Sequence, residues 1–292
     1  MKILIAVDES SNAVIQEAAR RPWPGESEFR VVTVVDPYFF SHAPKILEEA
    51  KLSAVKTLED LAVPLVSAGR NVHLEVLLDN PRHVLPRLAM AWNADLVMIG
   101  SHGVGRIKRL VSGSTEQIVL RHAECSVEIV RTRAETAADH DGMRVLLPTD
   151  GSDHAEAAIA MMAESPWPQG SVFKVISIPE YPVLIGEFPY YAPEQISTLV
   201  QQTLEHAKRA VSSGAEKLAQ SRLNASREVR EPRNTPAHGI LSAAEDWNAD
   251  LIVLGSHGRR GFDRLILGSV SETVAMHANC SVEVVRMPIP QL

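Results

Sequence analysis

The chain has 292 residues, of which 45% are hydrophobic and 22% charged, and its formal net charge is -7. This length and composition are enough for two ordinary hydrophobic cores and exclude a collagen-like or largely disordered protein. The negative charge argues against coating nucleic acid, because proteins that do so carry a basic face. The longest apolar runs have about five to eight residues, too few to cross a bilayer, and Met1 leads straight into a predicted strand rather than a signal peptide. We therefore expect a cytoplasmic protein that binds neither nucleic acid nor membranes.

The first half of the chain alternates between predicted strands and helices. It opens with an unbroken apolar run at residues 3–7, and unbroken apolarity predicts a strand covered on both faces. Further strands are predicted at 29–35, 72–78, 96–99 and 127–130, and the helices between them at 13–19, 44–68, 81–92 and 114–122.

The second half repeats this order after a predicted linker at residues 133–142. Its strands are predicted at 145–147, 173–178, 226–230, 251–254 and 282–285, and its helices at 155–163, 193–222, 236–247 and 269–277. Strands that alternate with helices need right-handed crossovers and form a parallel sheet. We therefore predict two tandem doubly wound α/β domains, at residues 1–132 and 143–288, each with a five-stranded parallel sheet.

Matching strings indicate that the two halves are copies of one domain. Trp-Asn-Ala-Asp-Leu occurs at 92–96 and again at 247–251, 155 residues later, and Cys-Ser-Val-Glu recurs with the same offset. The offset is only 142 residues between Asp8 and Asp150, so the second copy carries an insertion, which we place at 179–193. A period of about 150 residues suits two fused domains rather than a solenoid. The two cysteines hold equivalent positions and are expected to be free thiols.

A glycine pattern follows the fourth predicted strand of each half. It reads G-x2-G-x9-G-S and comprises Gly100, Gly103, Gly113 and Ser114 in the first copy and Gly255, Gly258, Gly268 and Ser269 in the second. Glycine permits a positive φ and lets a ligand approach the backbone closely. The final Gly-Ser pair is expected to open a helix whose first amides lack partners and favour phosphate. No lysine follows the last glycine, so we predict phosphate-binding loops that differ from the Walker A type and need no metal.

An acidic residue follows the first predicted strand of each half, Asp8 in the first and Asp150 in the second. Ligands of open parallel sheets bind beyond the carboxyl ends of the strands. If strands one and four are neighbours, each aspartate and its loop face one crevice. Two roles are open for these aspartates, acceptor for a ribose hydroxyl or cap of the following helix. The glycines have tight turns as their alternative role, and His102 and His257 either contact phosphate or are merely exposed.

The motifs that would indicate catalysis or a metal site are missing. There is no nucleophile elbow and no carboxylate pair with distinct environments, so we predict no catalytic residue. His83 and His238 follow helix-opening prolines but have no ligand cluster at suitable spacing, so we predict no protein metal site.

Together these motifs resemble the universal stress protein family, specifically its tandem-domain members with the ATP-binding type of loop. The resemblance covers nearly the whole chain and implies the adenine nucleotide alpha hydrolase-like fold, with strand order 3-2-1-4-5 and pairing through the fifth strands. It also implies one ATP, with or without Mg²⁺, in each domain. By position, the implied contacts of the first domain are Asp8, Val34, Gly100, His102, Gly103, Gly113, Ser114 and Thr115. Those of the second domain are Asp150, Ile178, Gly255, His257, Gly258, Gly268, Ser269 and Val270.

On this resemblance we expect a cytoplasmic stress-response regulator that depends on nucleotide and forms a homo-oligomer or a pseudo-dimer within one chain. Two alternatives stay open: a slow ATPase or autophosphorylating protein using Ser114 or Ser269, and an interaction scaffold that ignores nucleotide. The family's Asp-Gly-Ser is Asp8-Glu9-Ser10 in the first copy, and its Cys-Pro is Cys-Ser in both. We therefore expect the first site to be the weaker one.

Overall fold

The computed structural model describes residues 1–8, 11–101, 109–132, 142–181, 193–232, 234–258 and 267–287, and for residues 109–114 and 193 it describes the backbone alone. The chain divides into two compact units. Unit 1 comprises Met1–Thr136, Ser165–Pro168 and Cys280–Leu292, and unit 2 comprises Ala137–Glu164 and Gln169–Asn279. Among the described helices, none combines the length and the apolar character that a membrane span requires. The predicted domain limits, 1–132 and 143–288, stay a prediction.

Strands and helices alternate along both repeats. The first repeat contains β1 (Lys2–Ala6), α1 (Asn12–Arg20), β2 (Glu28–Val35), a 3-10 helix (Pro37–Phe40), α2 (Pro44–Ser67), β3 (Asn71–Leu78), α3 (Pro81–Trp92), β4 (Leu96–Gly100), α4 (Arg109–His122) and β5 (Ser126–Val130). The second contains β6 (Arg144–Pro148), α5 (Asp153–Glu164), β7 (Val172–Ser177), α6 (Pro193–Gln220), β8 (Asn224–Val229), α7 (Pro236–Trp247), β9 (Leu251–Gly255), α8 (Ser269–His277) and β10 (Ser281–Val285).

The sheet of unit 1 has the predicted strand order. Its parallel strands run β3-β2-β1-β4-β5, and the last strand of the chain, β10, pairs antiparallel with β5. In unit 2 the parallel order is β8-β7-β6-β9, which matches the first four strands of the first repeat. The doubly wound α/β fold and the pairing through the fifth strands are therefore confirmed.

The central strands are buried on both faces, as their unbroken apolar sequences predict. Every residue of β4, β5, β9 and β10 is buried. In unit 1 the helix α1 packs its buried residues Val14, Ile15 and Ala18 onto this sheet, within a core that includes Phe29. The carboxyl ends of the strands, where the candidate sites lie, are thus held by a rigid core.

The recurring string Trp-Asn-Ala-Asp-Leu has a structural explanation. Asn93 and Asn248 end α3 and α7 in the left-handed conformation, with φ of 53° and 50°, a helix stop that asparagine tolerates well. The carboxylates of Asp95 and Asp250 then accept a hydrogen bond, at 2.7 and 2.8 Å, from the amide that opens the neighbouring strand, β1 or β6. The string therefore ends a helix and ties it to the sheet without any ligand.

Both cysteines, Cys125 and Cys280, are half-buried free thiols that precede a strand. Burial raises the pKa of Cys125 to about 11. This thiol is therefore protonated at neutral pH and is a poor nucleophile.

Candidate functional sites

A cavity of about 1450 Å³ lies in unit 1 beyond the carboxyl ends of β1, β2 and β3. Three of the predicted contacts line it: Asp8 after β1, Val34 near the end of β2, and Thr115 in α4. The aromatic 3-10 helix Pro37–Phe40 forms part of its wall. The cavity has room for a ligand the size of a mononucleotide, since small-molecule pockets typically measure about 300–1,000 Å³. We call it the first site.

Sequence reasoning missed the polar side chains that line this cavity beside Asp8. Asp36 and Asp79 follow β2 and β3 as Asp8 follows β1, and all three line the cavity. Asp36 is held in place, because its Oδ2 accepts a hydrogen bond from Nδ2 of Asn80 at 3.1 Å and its Oδ1 accepts one from the amide of Tyr38 at 3.0 Å. The signal for Asp36 was present, since it is an acid directly after a strand.

The carboxylate of Asp8 is engaged with its own turn. Its Oδ1 accepts a hydrogen bond from the hydroxyl of Ser11 at 2.7 Å, and the same hydroxyl accepts one from the amide of Asp8 at 2.9 Å. Ser11 precedes α1 but makes no side-chain cap to it. This hydrogen-bond exchange fixes the carboxylate at the edge of the cavity. Residues 9 and 10, whose amides the predicted cap would use, lie outside the described residues.

The helix after the first glycine loop does not begin where the sequence predicts. α4 begins at Arg109, so Gly113 and Ser114 lie inside it and the prediction that they open a helix is wrong for this repeat. Residues 109–112 contain no glycine or proline, and one glycine inside a helix costs only about 1 kcal/mol. His102 and Gly103 lie outside the described residues.

In unit 2 the structure brings Asp150 and the glycine loop together, in an arrangement that we call the second site. A Cβ at Gly258 would lie 2.7 Å from Oδ2 of Asp150, so the loop backbone passes close to this carboxylate, and a larger residue would force the carboxylate or the loop to move. The other carboxylate oxygen accepts a hydrogen bond from the amide of Ser152 at 3.0 Å, as the predicted cap requires. Nε2 of His206 lies 2.8 Å from the backbone oxygen of Asp150 and supports the same turn.

The last glycine of the second loop caps a helix as predicted. α8 begins at Ser269, and Gly268 stands at its N-cap with no side-chain hydrogen bond to the first turn. The amide of Gly268 donates to the carbonyl oxygen of Ser256 at 2.9 Å, which closes the loop. Ser269 itself is exposed, and Val270 follows it in the first turn. The first amides of a helix have no intrahelical partner, so this terminus is suited to an anion.

A histidine cluster, formed by His154, Ser256 and His257, fastens the second loop to α5. Oγ of Ser256 lies 3.0 Å from Nδ1 of His257 and 3.3 Å from Nδ1 of His154, and the two imidazole rings lie 4.8 Å apart. His257 is 6% exposed, and its buried Nε2 has no hydrogen-bond partner among the residues that the structure describes. Sequence reasoning missed His154, because the corresponding residue of the first repeat is Asn12.

The first glycine of each loop is required by packing rather than by a left-handed turn. A Cβ at Gly100 would lie 3.0 Å from a methyl group of Val14, and one at Gly255 would lie 2.5 Å from the backbone of His154. None of the loop glycines within the described residues adopts the positive φ that glycine permits. Here a Cβ would push α1 away from the end of β4 or α5 away from the end of β9.

The predicted adenine contacts, Val34 and Ile178, lie at or just beyond the carboxyl end of the second strand of each repeat. Val34 lies in β2 and is paired with Leu77 of β3, whereas Ile178 follows the last residue of β7. The side chain of Ile178 packs on α7, where a Cβ at Gly239 would lie 3.0 Å from it.

Among the described residues there is no group of three or more His, Cys, Asp or Glu side chains that could hold a metal ion.

Comparison with known proteins supports the reading of the sequence. A model described as "Universal stress protein family" matches residues 1–131 and 143–286. A universal stress protein of Mycolicibacterium smegmatis is 29% identical over 300 residues, which cover 97% of this chain and 96% of that protein. A universal stress protein of Mycobacterium tuberculosis is 27% identical over 250 residues, which cover 85% of this chain and 75% of that protein.

Solved structures show the same fold. The crystal structure of a universal stress protein from Archaeoglobus fulgidus DSM 4304 matches with a TM-score of 0.67 and 18% identity, over 99% of this chain and 97% of that chain. At this identity the likeness concerns the fold alone.

Proposed function

The chain belongs to the universal stress protein family, as two of its domains in tandem, and from this premise we propose that each domain binds one ATP and that the protein is a cytoplasmic, nucleotide-dependent regulator in the stress response. The observation that supports this most strongly is the second site. There the backbone of Gly258 lies against the carboxylate of Asp150, which follows β6. The same glycine loop, which follows β9, leads to a start of α8 that has no side-chain cap.

The chemistry of these groups suits a nucleotide. The unpartnered amides at the start of α8 favour the phosphates, and the buried Nε2 of His257 is a polar atom that a rearranged loop can offer to a phosphate oxygen. The carboxylate of Asp150 is the kind of acceptor that binds a ribose hydroxyl. Three or four charge-assisted hydrogen bonds of about 1.5–3 kcal/mol each are sufficient, after the costs of association, for micromolar affinity, which corresponds to about 8 kcal/mol.

In the first site the groups differ but the class of ligand is the same. Asp8 occupies the position of Asp150, and Val34 and Thr115 line a cavity with room for a base and a ribose. Three carboxylates on this cavity make it the less favourable place for a polyphosphate. The proposal therefore includes a weaker first site and, for Mg²⁺, coordination through the phosphates of the nucleotide rather than through a protein ligand cluster.

Isothermal titration of the full chain with ATP, with and without Mg²⁺, tests the proposal. We expect two sites, at least one of them with a micromolar Kd, and weaker binding of GTP in a parallel titration. Absence of heat and of any bound nucleotide at millimolar ATP would contradict it.

The same samples distinguish the two alternatives. Release of ADP that is lost in Ser114→Ala or Ser269→Ala would favour the ATPase or autophosphorylating protein. A protein partner that binds equally with and without ATP would favour the scaffold. Sedimentation velocity of the same samples shows whether the chain forms a homo-oligomer in addition to its internal pairing.

A further inference from the structure

The two strands that pair at the edge of unit 1 are almost identical. β5 reads Ser-Val-Glu-Ile-Val and β10 reads Ser-Val-Glu-Val-Val. The flanking contacts also match, because the amide of Arg131 donates to Oγ of Ser281 at 3.1 Å and the amide of Arg286 donates to Oγ of Ser126 at 3.3 Å. Neither the backbone nor the apolar side chains therefore distinguish a β5–β10 pair from a pair of two β5 or two β10 strands from different copies of the chain.

The register of this pair places two buried carboxylates opposite each other. Glu128 of β5 is aligned with Glu283 of β10, and the two residues are 0% and 1% exposed. Two unpaired negative charges in such a position are costly, because burial removes their hydration and a low dielectric strengthens their repulsion.

A single guanidinium, that of Arg21, serves both carboxylates. Its Nη1 donates to Oε2 of Glu128 at 3.0 Å, and its Nη2 donates to Oε2 of Glu283 at 3.3 Å. The centre of the guanidinium lies 4.8 Å from the ring of Trp23 and 4.9 Å from the ring of Trp167. Arg21 is 3% exposed and is thus enclosed by equivalent residues of the two repeats, two glutamates and two tryptophans.

The second repeat has no arginine of this kind. The first repeat reads Arg21-Pro-Trp-Pro, and the corresponding string of the second reads Ser165-Pro-Trp-Pro. A β5–β10 pair therefore has one guanidinium for two glutamates, a β5–β5 pair would have two, and a β10–β10 pair would have none. Pairing like strands of two copies, β5 with β5 and β10 with β10, would therefore always create one pair without a guanidinium.

We propose that Arg21 selects the strand partner: it makes the pairing of β5 with β10 acceptable, and its absence from the second repeat excludes the pairing of β10 with a second β10. The sequence difference between Arg21 and Ser165 thereby keeps the last strand paired with the first repeat. The occupant of the β5 edge is the chain's own β10, and pairing of like strands from two copies of the chain is disfavoured.

The first test moves or removes the guanidinium and follows denaturant unfolding of the full chain at pH 8. Arg21→Ser leaves two buried carboxylates and is expected to raise the unfolding equilibrium constant by about a hundredfold or more. Adding Glu128→Gln to Arg21→Ser replaces one buried ionisable side chain with a neutral amide, which removes its cost of charging or of protonation, and is expected to recover most of this loss. A change below threefold in Arg21→Ser, or a double variant no more stable than Arg21→Ser, would overturn the proposal.

The second test measures whether the guanidinium determines which strand pairs with β10. Ser165→Arg gives every possible strand pair at least one guanidinium for each glutamate. A β10–β10 pair between two copies then no longer buries unpaired carboxylates. After refolding at high protein concentration, native mass spectrometry should show about tenfold more dimer for Ser165→Arg than for the wild type. Equal dimer fractions would show that another feature selects the partner and would overturn the proposal. Neither readout depends on nucleotide, so failure here leaves the proposed ATP binding standing.

Discussion

In the second repeat Asp150 lies against Gly258, the histidine cluster fastens the loop to α5, and Gly268 opens α8 without a side-chain cap. In the first repeat the described part of the site is a cavity lined by three carboxylates, and α4 includes Gly113. The glycine spacing is the same in both. A repeated glycine pattern thus preserves the close approach of the strand end to the neighbouring helix. The side chains that hold the loop, and the charges that they place around the site, can differ between the copies.

The largest expected effect concerns Glu128, which is buried in β5. Burial, opposed by the charge of Arg21, raises the pKa of Glu128 to about 8 from an ordinary value of 4.5. Arg21, Glu283 and Glu17 are the charged groups that act on it. The folded state therefore holds a proton that the unfolded state has released above pH 4.5, and stability must fall as pH rises from about 5 to about 8, by up to about 1.4 kcal/mol per pH unit.

Glu128→Gln tests this pH dependence, because an amide cannot titrate. Urea unfolding between pH 5 and pH 9 should show a smaller loss of stability with rising pH in Glu128→Gln than in the wild type, with the largest gain in stability above pH 8. Glu283→Gln is the matched variant in the second repeat. Identical pH profiles for wild type and Glu128→Gln would contradict the assignment of the proton.

The second site is expected to depend on Gly258 more than on any other single residue of the loop. In Gly258→Ala the added Cβ would lie 2.7 Å from Oδ2 of Asp150, so the carboxylate or the loop must move. We expect about thirtyfold weaker ATP binding at this site, a loss of about 2 kcal/mol. Two-site titration calorimetry measures it.

Gly25→Ala is the matched control for that variant, because a Cβ at Gly25 would meet nothing within 4 Å. It should leave both sites unchanged. If Gly25→Ala and Gly258→Ala bound ATP equally well, the contrast between the two repeats would lose its main support.

His154→Asn gives the second repeat the residue that the first repeat has at this position, Asn12, and tests whether the histidine cluster accounts for the difference between the two sites. It removes one contact of Ser256 and one neighbour of the ring of His257. We expect about fivefold weaker ATP binding at the second site, as for the loss of one hydrogen bond. The reciprocal change Asn12→His is the control, and a larger effect of Asn12→His than of His154→Asn on calorimetric affinity would contradict the role of the cluster.

The smallest expected effect concerns the first site. Asp36→Ala removes a carboxylate that lines the cavity and is held by Asn80 and by the amide of Tyr38. Its loss should change ATP affinity at the first site by about threefold and leave the second site unchanged. Glu59→Ala, on the exposed surface of α2, is the control. An effect of Asp36→Ala confined to the second site would rule out the assignment of the cavity.

Local signals predicted most of the fold. Unbroken apolar runs located the strands. The predicted limits of α8, Ser269–His277, are correct, and the Gly-Ser pair located its start. The start of α4 was missed because helix formation over residues 109–112 outweighs one internal glycine. The glycines and aspartates of the second site were found because both copies share them.

The long-range contacts could not be predicted from the sequence. Arg21 meets Glu128 and Glu283 across 107 and 262 positions, and no local pattern connects them. His154 lies where the first repeat has Asn12, so comparing the repeats did not reveal it. Asp36 had a signal, since it follows a strand as Asp8 does, but the acceptor role was assigned to Asp8 alone.

Native mass spectrometry of the full chain as purified, and again after incubation with ATP, tests the central claim most directly. The account predicts a mass increase of one adenine nucleotide per chain at the lower ATP concentrations, and of two at the highest, with the first nucleotide lost selectively in Gly258→Ala. A chain that stays free of nucleotide at every ATP concentration, or whose tighter site is unaffected by Gly258→Ala, would contradict it.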